Sequence, residues 1–170
     1  LTVTGSGTGA LILTGVNTYS GATTIATGSL VIGGSGKLGN GSYAGTIANA
    51  TTLTYSSDAT QTLSGVISGA GAVVKDTDAS VLTLSGNNTF TGDLTVNLGT
   101  VDVTGTLAAT VDVVVADAAA IYAVSASDTI ATLTVGAAGK VQLDSSQTLT
   151  VTGGTNAIAG IVQGDGNFRI

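Results

Sequence analysis

Asp76 and Asp78, in the run Asp76-Thr77-Asp78, are two carboxylates at i and i+2. On a strand such side chains share a face, and a pair of carboxylates is what glycoside cleavage requires. Grouped on a β-helical scaffold, they point to a glycan-cleaving enzyme. Residues 76–80 are extra, however, relative to the parallel segment GTGALIL, so a solvated loop is the preferred reading. The same acids, or Gly164-Asp165-Gly166-Asn167, offer oxygen ligands for calcium. The repeated Gly-Gly-x-Gly-x-Asp nonapeptide of calcium-binding β-helices is absent, and Asp165 stands where the matching segment has Ala70, so no metal site is expected. The run 33–38, GGSGKL, is no phosphate loop: Val31 occupies the first glycine position and Leu38 the Ser/Thr position.

With no His and no Cys, neither a Ser-His-Asp triad nor a thiol nucleophile can be assembled. The chain is therefore expected to have no catalytic residues and no cofactor. Thr-x-Thr occurs at 2/4, 52/54, 60/62, 132/134 and 148/150. A regular array of that kind would suggest an ice-binding solenoid, but the spacing is uneven and threonine is common on any half-exposed strand. Asn49-Ala50-Thr51 and Asn87-Asn88-Thr89 match glycosylation acceptors only as a Thr-rich chain does by chance.

Elements that would carry these residues must be built from an unusual composition. The 170 residues include 26 Gly and no Pro, Met, Trp or Cys, and 8% are charged, against about 25% in an ordinary domain. The hydrophobic fraction of 43% is enough to fold on. All ten acids are Asp, a turn former and poor helix former. Only Lys37, Lys75, Lys140 and Arg169 oppose them, and a net charge of −6 without a basic cluster argues against nucleic acid or an anionic membrane as partner. No apolar run reaches the ~18 residues of a membrane span; the most apolar, 111–124, is interrupted by Asp112 and Asp117. The start at Leu1 reads as a processed product or an excised piece.

The chain is internally repetitive. Residues 11–32 and 82–103 align without a gap at an offset of 71, sharing Leu11/Leu82, Leu13/Leu84, Gly15/Gly86, Asn17/Asn88, Gly21/Gly92 and Gly28/Gly99 among others. A second alignment, 63–74 with 158–169, has an offset of 95 and shares Gly65/Gly160, Gly69/Gly164 and Gly71/Gly166. Short alternating runs such as LILT, VLTL, ATLTV and TLTVT lie between Gly, Asn, Asp and Ser breaks, which is the pattern of strands and turns. A sandwich or barrel has similar spacing. Paired modules, one Asn-Gly hairpin signal at Asn40-Gly41 and only 4% aromatic residues favour a solenoid. Residues 107–126 are Ala-rich enough for a short helix, but Val111 and 113–115 lean toward strand. Coils of ~20 residues stacked at about 4.8 Å give about eight coils and a rod on the order of 40 Å. Gly15, Asn17, Gly21, Gly28, Gly86, Asn88, Gly92 and Gly99 are the expected repeat corners.

Taken together, the G-x-G, L-x-L-[TS]-G, N-T-[YF]-[ST]-G and G-[ST]-[LV] elements of residues 7–33 resemble the autotransporter-associated β-strand repeat. Residues 64–103 resemble a second copy, 158–170 begin a partial third, and 104–157 form divergent coils within one solenoid segment, 1–170. The resemblance implies an all-β fold, a right-handed parallel β-helix, exported to the bacterial cell surface as part of a longer passenger. Its implied role is that of an extracellular structural or adhesive rod, with no catalytic residues to transfer. A cell-surface or glycan ligand is the partner such a rod would meet. Neither end carries a capping helix, so the terminal coils are expected to continue a longer array or to self-associate into filaments, as in a biofilm matrix.

Overall fold

The computed structural model describes residues 1–5, 9–116 and 119–170, with the side chains of Asp78 and Ala79 outside that description. It is an all-β parallel solenoid with three strand-bearing faces. The second face is the most regular. Its strands are Ala10–Leu13, Ser29–Gly34, Thr52–Ser57, the first half of Ala72–Leu84, the first half of Leu94–Val103, Asp112–Val115, Thr132–Val135 and Ala157–Ile158. Each pairs in parallel with the next, giving the stack of about eight coils.

The third face carries Ser42–Tyr43, Gln61–Leu63, the second halves of Ala72–Leu84 and Leu94–Val103, Ile121–Val124, Lys140–Leu143 and Ile161–Gly164. Because two strands run round the corner, the second and third faces form a single 13-stranded sheet. The first face is split into two smaller sheets. One comprises Thr2–Thr4, Thr23–Thr27, Ile47–Asn49 and Ile67–Ser68; the other Asp128–Ile130, Thr148–Val151 and Asn167–Arg169.

The core is built by alternation. Every second residue of a strand points inward, and register stacks like on like. On the second face Leu11, Leu30, Leu53, Val73, Leu94, Val113 and Leu133 form one inward file. Val101, Tyr122 and Val141 belong to a file on the third. Burying each such side chain contributes about 1.5–3 kcal/mol, and a single coil has nothing to bury it against. Facing outward on the second face is a file that alternates in kind, with Val31, Thr54, Val74, Thr95, Val114 and Thr134 in successive coils. The Ala-rich stretch 107–126 forms the strands Asp112–Val115 and Ile121–Val124, whose inward Val113, Val115, Tyr122 and Val124 are fully buried. Asn40-Gly41 makes no hairpin. It lies in a one-turn 3-10 segment, Gly39–Gly41, with Asn40 at φ 57°.

Coil length is not fixed. Paired residues are 19 apart at Leu11 and Leu30 but 24 apart at Thr23 and Ile47. The sequence repeat is not a whole number of coils either. Three coils carry Leu11 through Leu30 and Leu53 to Val73 on the second face, whereas its repeat partner Leu82 sits on the third, between Gln61 and Val101. The offset of 71 therefore spans about three and a third coils, and matching residues of the two copies do not stack.

Candidate functional site

The corner residues of the two repeat copies are placed as follows. Asn17 Nδ2 donates to Gly15 O (2.8 Å) and to Lys37 O of the next coil (3.2 Å). Asn88 Nδ2 does the same with Gly86 O (2.9 Å) and Thr106 O (3.2 Å). Each amide thus ties its own turn to the following coil. Gly28 and Gly99 both adopt positive φ, +75° and +71°, where an L side chain is strained. A Cβ built on Gly86 would stand 2.5 Å from Gly65 O of the preceding coil, and one on Gly92 2.6 Å from Gly71 O; Gly15 and Gly21 belong to the first coil, with no coil before them, and have nothing within 4 Å.

Asp76 is exposed and accepts from Asn97 Nδ2 of the next coil (3.2 Å). Asp78, the other acid of the pair, has its side chain outside the described residues. Among the described residues no three acidic side chains converge on a common point.

Two buried polar groups do not follow from the motifs. Lys75 is fully buried in the inward file between Tyr55 and Val96. Its Nζ donates to Thr77 O and Leu98 O and lies 5.9 Å from the centroid of the Tyr55 ring, a cation-π geometry. Nearby, the buried Ser80 Oγ donates to Ser57 O (2.6 Å), so a corner of the core between the second and third faces is polar. Period-two counting from the inward Val73 would have placed Lys75 inside, since 73 and 75 share a face.

Asp128 is the second. Four side chains on different coils perform one task, accepting the main-chain N–H of a residue in the coil before. Gln61 Oε1 takes Leu38 N (2.8 Å), Asn88 Oδ1 takes Ile67 N (3.0 Å) and Asn156 Oδ1 takes Leu133 N (2.8 Å). At the fourth position Asp128 takes Leu107 N with both oxygens (3.1 and 3.2 Å), and its Oδ1 also takes Thr129 N (2.9 Å). Three of the four are carboxamides, whose NH₂ in each case donates to a main-chain carbonyl. Asp128 alone brings charge. Burial pushes its carboxyl up to about 6, against the pull of the Leu107 and Thr129 N–H groups. The Tyr122 hydroxyl, itself buried and without a hydrogen-bond partner, is raised well above its ordinary value by burial and by the field of Asp128.

Asp128 stands where the first face is broken. Among the described residues no strand bridges the gap between Ile67–Ser68 and Asp128–Ile130, although Phe90 N still donates to Ile67 O (3.1 Å). Above the gap lies a cavity of about 340 Å³ with Asp128, Thr106, Ser127, Thr129, Thr148 and Thr150 in its wall.

Residues 1–32 and 76–103 match the family model described as the passenger-associated-transport-repeat. A curated relative, the adhesin BmaC autotransporter of Brucella suis biovar 1 (strain 1330), is 37% identical over 62% of this chain. The chain spans about 4% of that relative's length. No solved structure matches it.

Proposed function

From a chain that carries autotransporter passenger repeats at 1–32 and 76–103, we propose a segment of an extracellular, cell-surface β-solenoid rod with an adhesive rather than a catalytic role. The observation that carries the reading is the unbroken parallel ladder of the second face through all eight coils, on a chain whose curated relative is named an adhesin. Such a ladder gives reach and stiffness at low cost in sequence. The absence of His and Cys from the sequence removes the commonest nucleophile and base pairs. The Val/Thr alternation of the outward file on the second face leaves its threonines two coils apart, which favours ordinary strand surface over an ice-matching lattice.

Displayed on the surface of a non-adherent bacterium, the chain should raise attachment to cultured epithelial cells above that of a display control carrying a globular domain of equal size. Attachment equal to the control would remove the adhesive role.

The repeat copies 7–33 and 64–103, with a partial copy at 158–170, are the modules of this rod in our reading. End-to-end stacking is part of the same proposal. Ile12 and Val16 in the first coil are 59% and 54% exposed, and Ile161 and Ile170 near the other end 49% and 76%, while the register partners Val31, Lys37 and Lys140 one coil further in are half-buried. Further coils fit there, from a longer array or from a second copy. Sedimentation of the pure chain should show linear oligomers that grow with concentration. A single monomeric species up to millimolar protein would sink stacking between copies.

A further inference from the structure

Asn40-Gly41, the hairpin signal that makes no hairpin, is a chemically labile pair. The side-chain amide carbon of an asparagine lies within reach of the main-chain nitrogen of the next residue, and attack by that nitrogen closes a cyclic imide. Glycine in second place leaves the nitrogen unshielded, because it carries no Cβ. The chain has eight asparagines, and Gly follows only at Asn40. Asn40 is exposed. Asn49 and Asn88, by contrast, are buried, and their carboxamides are held by main-chain groups.

The fold holds the reacting atoms apart. Asn40 sits in the left-handed region, at φ 57° and ψ 29°, which asparagine enters more readily than most residues. At that ψ the Gly41 nitrogen is turned to the far side of the Cα–C bond from Cβ, whereas ring closure needs the two eclipsed. The nucleophile is also engaged, since Gly41 N donates to Leu38 O (2.9 Å). Its neighbours are pinned as well, Asn40 N donating to Asn17 O of the preceding coil (3.1 Å) and Ser42 N to Gly39 O. Leu38 and Tyr43 anchor the turn on either side, both buried in the core. Turning ψ into the reactive range breaks these hydrogen bonds, and atoms kept from attack geometry react far more slowly.

We propose that Asn40 is a site of spontaneous deamidation that the folded coil keeps closed and the unfolded chain opens. Gly41 N–H gives its proton to solvent base, a bond forms from Gly41 N to Asn40 Cγ, and the side-chain nitrogen leaves as ammonia. Water then opens the imide at either carbonyl. One product is aspartate at position 40, which tolerates the same backbone region, so that chain refolds. The other is isoaspartate, in which the main chain runs through the former side chain and gains one carbon. That carbon lengthens the path between Leu38 and Tyr43, whose side chains are fixed in the core, and the turn cannot regain the Gly41 N–H bond to Leu38 O. Time spent unfolded is thereby recorded in the chain and lowers the fraction able to refold. None of this depends on what the rod adheres to.

The test is incubation of the 170-residue chain at pH 8 and 37 °C, in buffer and in guanidinium chloride, with peptide mass mapping over time. In denaturant, position 40 should be the first of the asparagines to lose ammonia. It should react there at least about tenfold faster than in the folded chain. Gly41→Ala, read in denaturant where its effect on folding is immaterial, should slow the reaction at position 40 severalfold. After the aged, denatured sample is diluted and briefly digested, isoaspartate should concentrate in the digested fraction and aspartate at 40 in the resistant one. Equal rates in the folded and unfolded chain, or another asparagine reacting first in denaturant, would overturn the gated site. Isoaspartate chains as resistant as the native chain would overturn its effect on refolding.

Discussion

Gly86→Ala should destabilise the 170-residue chain by about 2–4 kcal/mol, while Gly15→Ala, at the matching position of the other repeat copy, should change it by less than about 1 kcal/mol. Gly86 belongs to a corner column with Gly45, Gly65 and Gly105. A Cβ on Gly65 would run into Gly45 O, one on Gly86 would stand 2.5 Å from Gly65 O, and one on Gly105 would run into Gly86 O. The obstacles are main-chain atoms, not the ends of flexible side chains. They are also pinned: Ser64 N donates to Tyr43 O (2.9 Å) and Ser85 N to Leu63 O (3.0 Å). Room for a methyl group can only come from parting two coils, which stretches the ladder hydrogen bonds beside it. The loss of unfolded-state freedom on replacing Gly favours Ala by about 0.4–1 kcal/mol at either site, and only at Gly15 does it stand unopposed. Urea midpoints of the two variants decide the matter. Equal midpoints would mean that the corner column is loosely packed.

Asp128→Asn should stabilise the chain at neutral pH and flatten its response to acid. The folded carboxyl is raised to about 6 from an ordinary 3.8, chiefly by burial. A group so shifted holds its proton more tightly folded than unfolded, so its contribution is complete below about 3.8 and is lost as pH rises through about 6. The native chain should therefore be more stable at pH 5 than at pH 7.5, by on the order of 1 kcal/mol from this group. Asparagine keeps an oxygen for Leu107 N, as Asn88 does for Ile67 N and Asn156 for Leu133 N, and has no charge to desolvate. The variant's urea midpoint at pH 7.5 should match or exceed that of the native chain at pH 5 and should change little between the two. A variant less stable than the native chain at both pH values would show that the carboxylate is the better partner for Leu107.

How far the sequence carried can be traced residue by residue. Alternation in LILT or TLTVT fixes which side chains go inward, because a strand has period two and the core is the only dry place. The solenoid itself followed from paired modules and the scarcity of hairpin signals, since parallel stacking leaves no role for them. The polar interior was harder. Lys75 and Asp128 both obey the alternation of their neighbours, but a charged side chain reads as surface until its partners are known, and those partners are main-chain groups of other coils. Leu107 N and Leu98 O carry no sequence signature. The break in the first face was hidden for the same reason: it depends on coil length, which ranges over several residues, and loops absorb the difference silently.

The fractional offset between the copies relates one motif to the next as a screw operation. Three and a third coils advance the motif about 16 Å along the axis and carry it roughly 120° around. A surface opposed to one side of the rod meets the motif from only one copy in three. Repeated, the operation would return it to the same side after ten coils, about 48 Å on. On a rod so wound, successive copies of the motif look out in different directions.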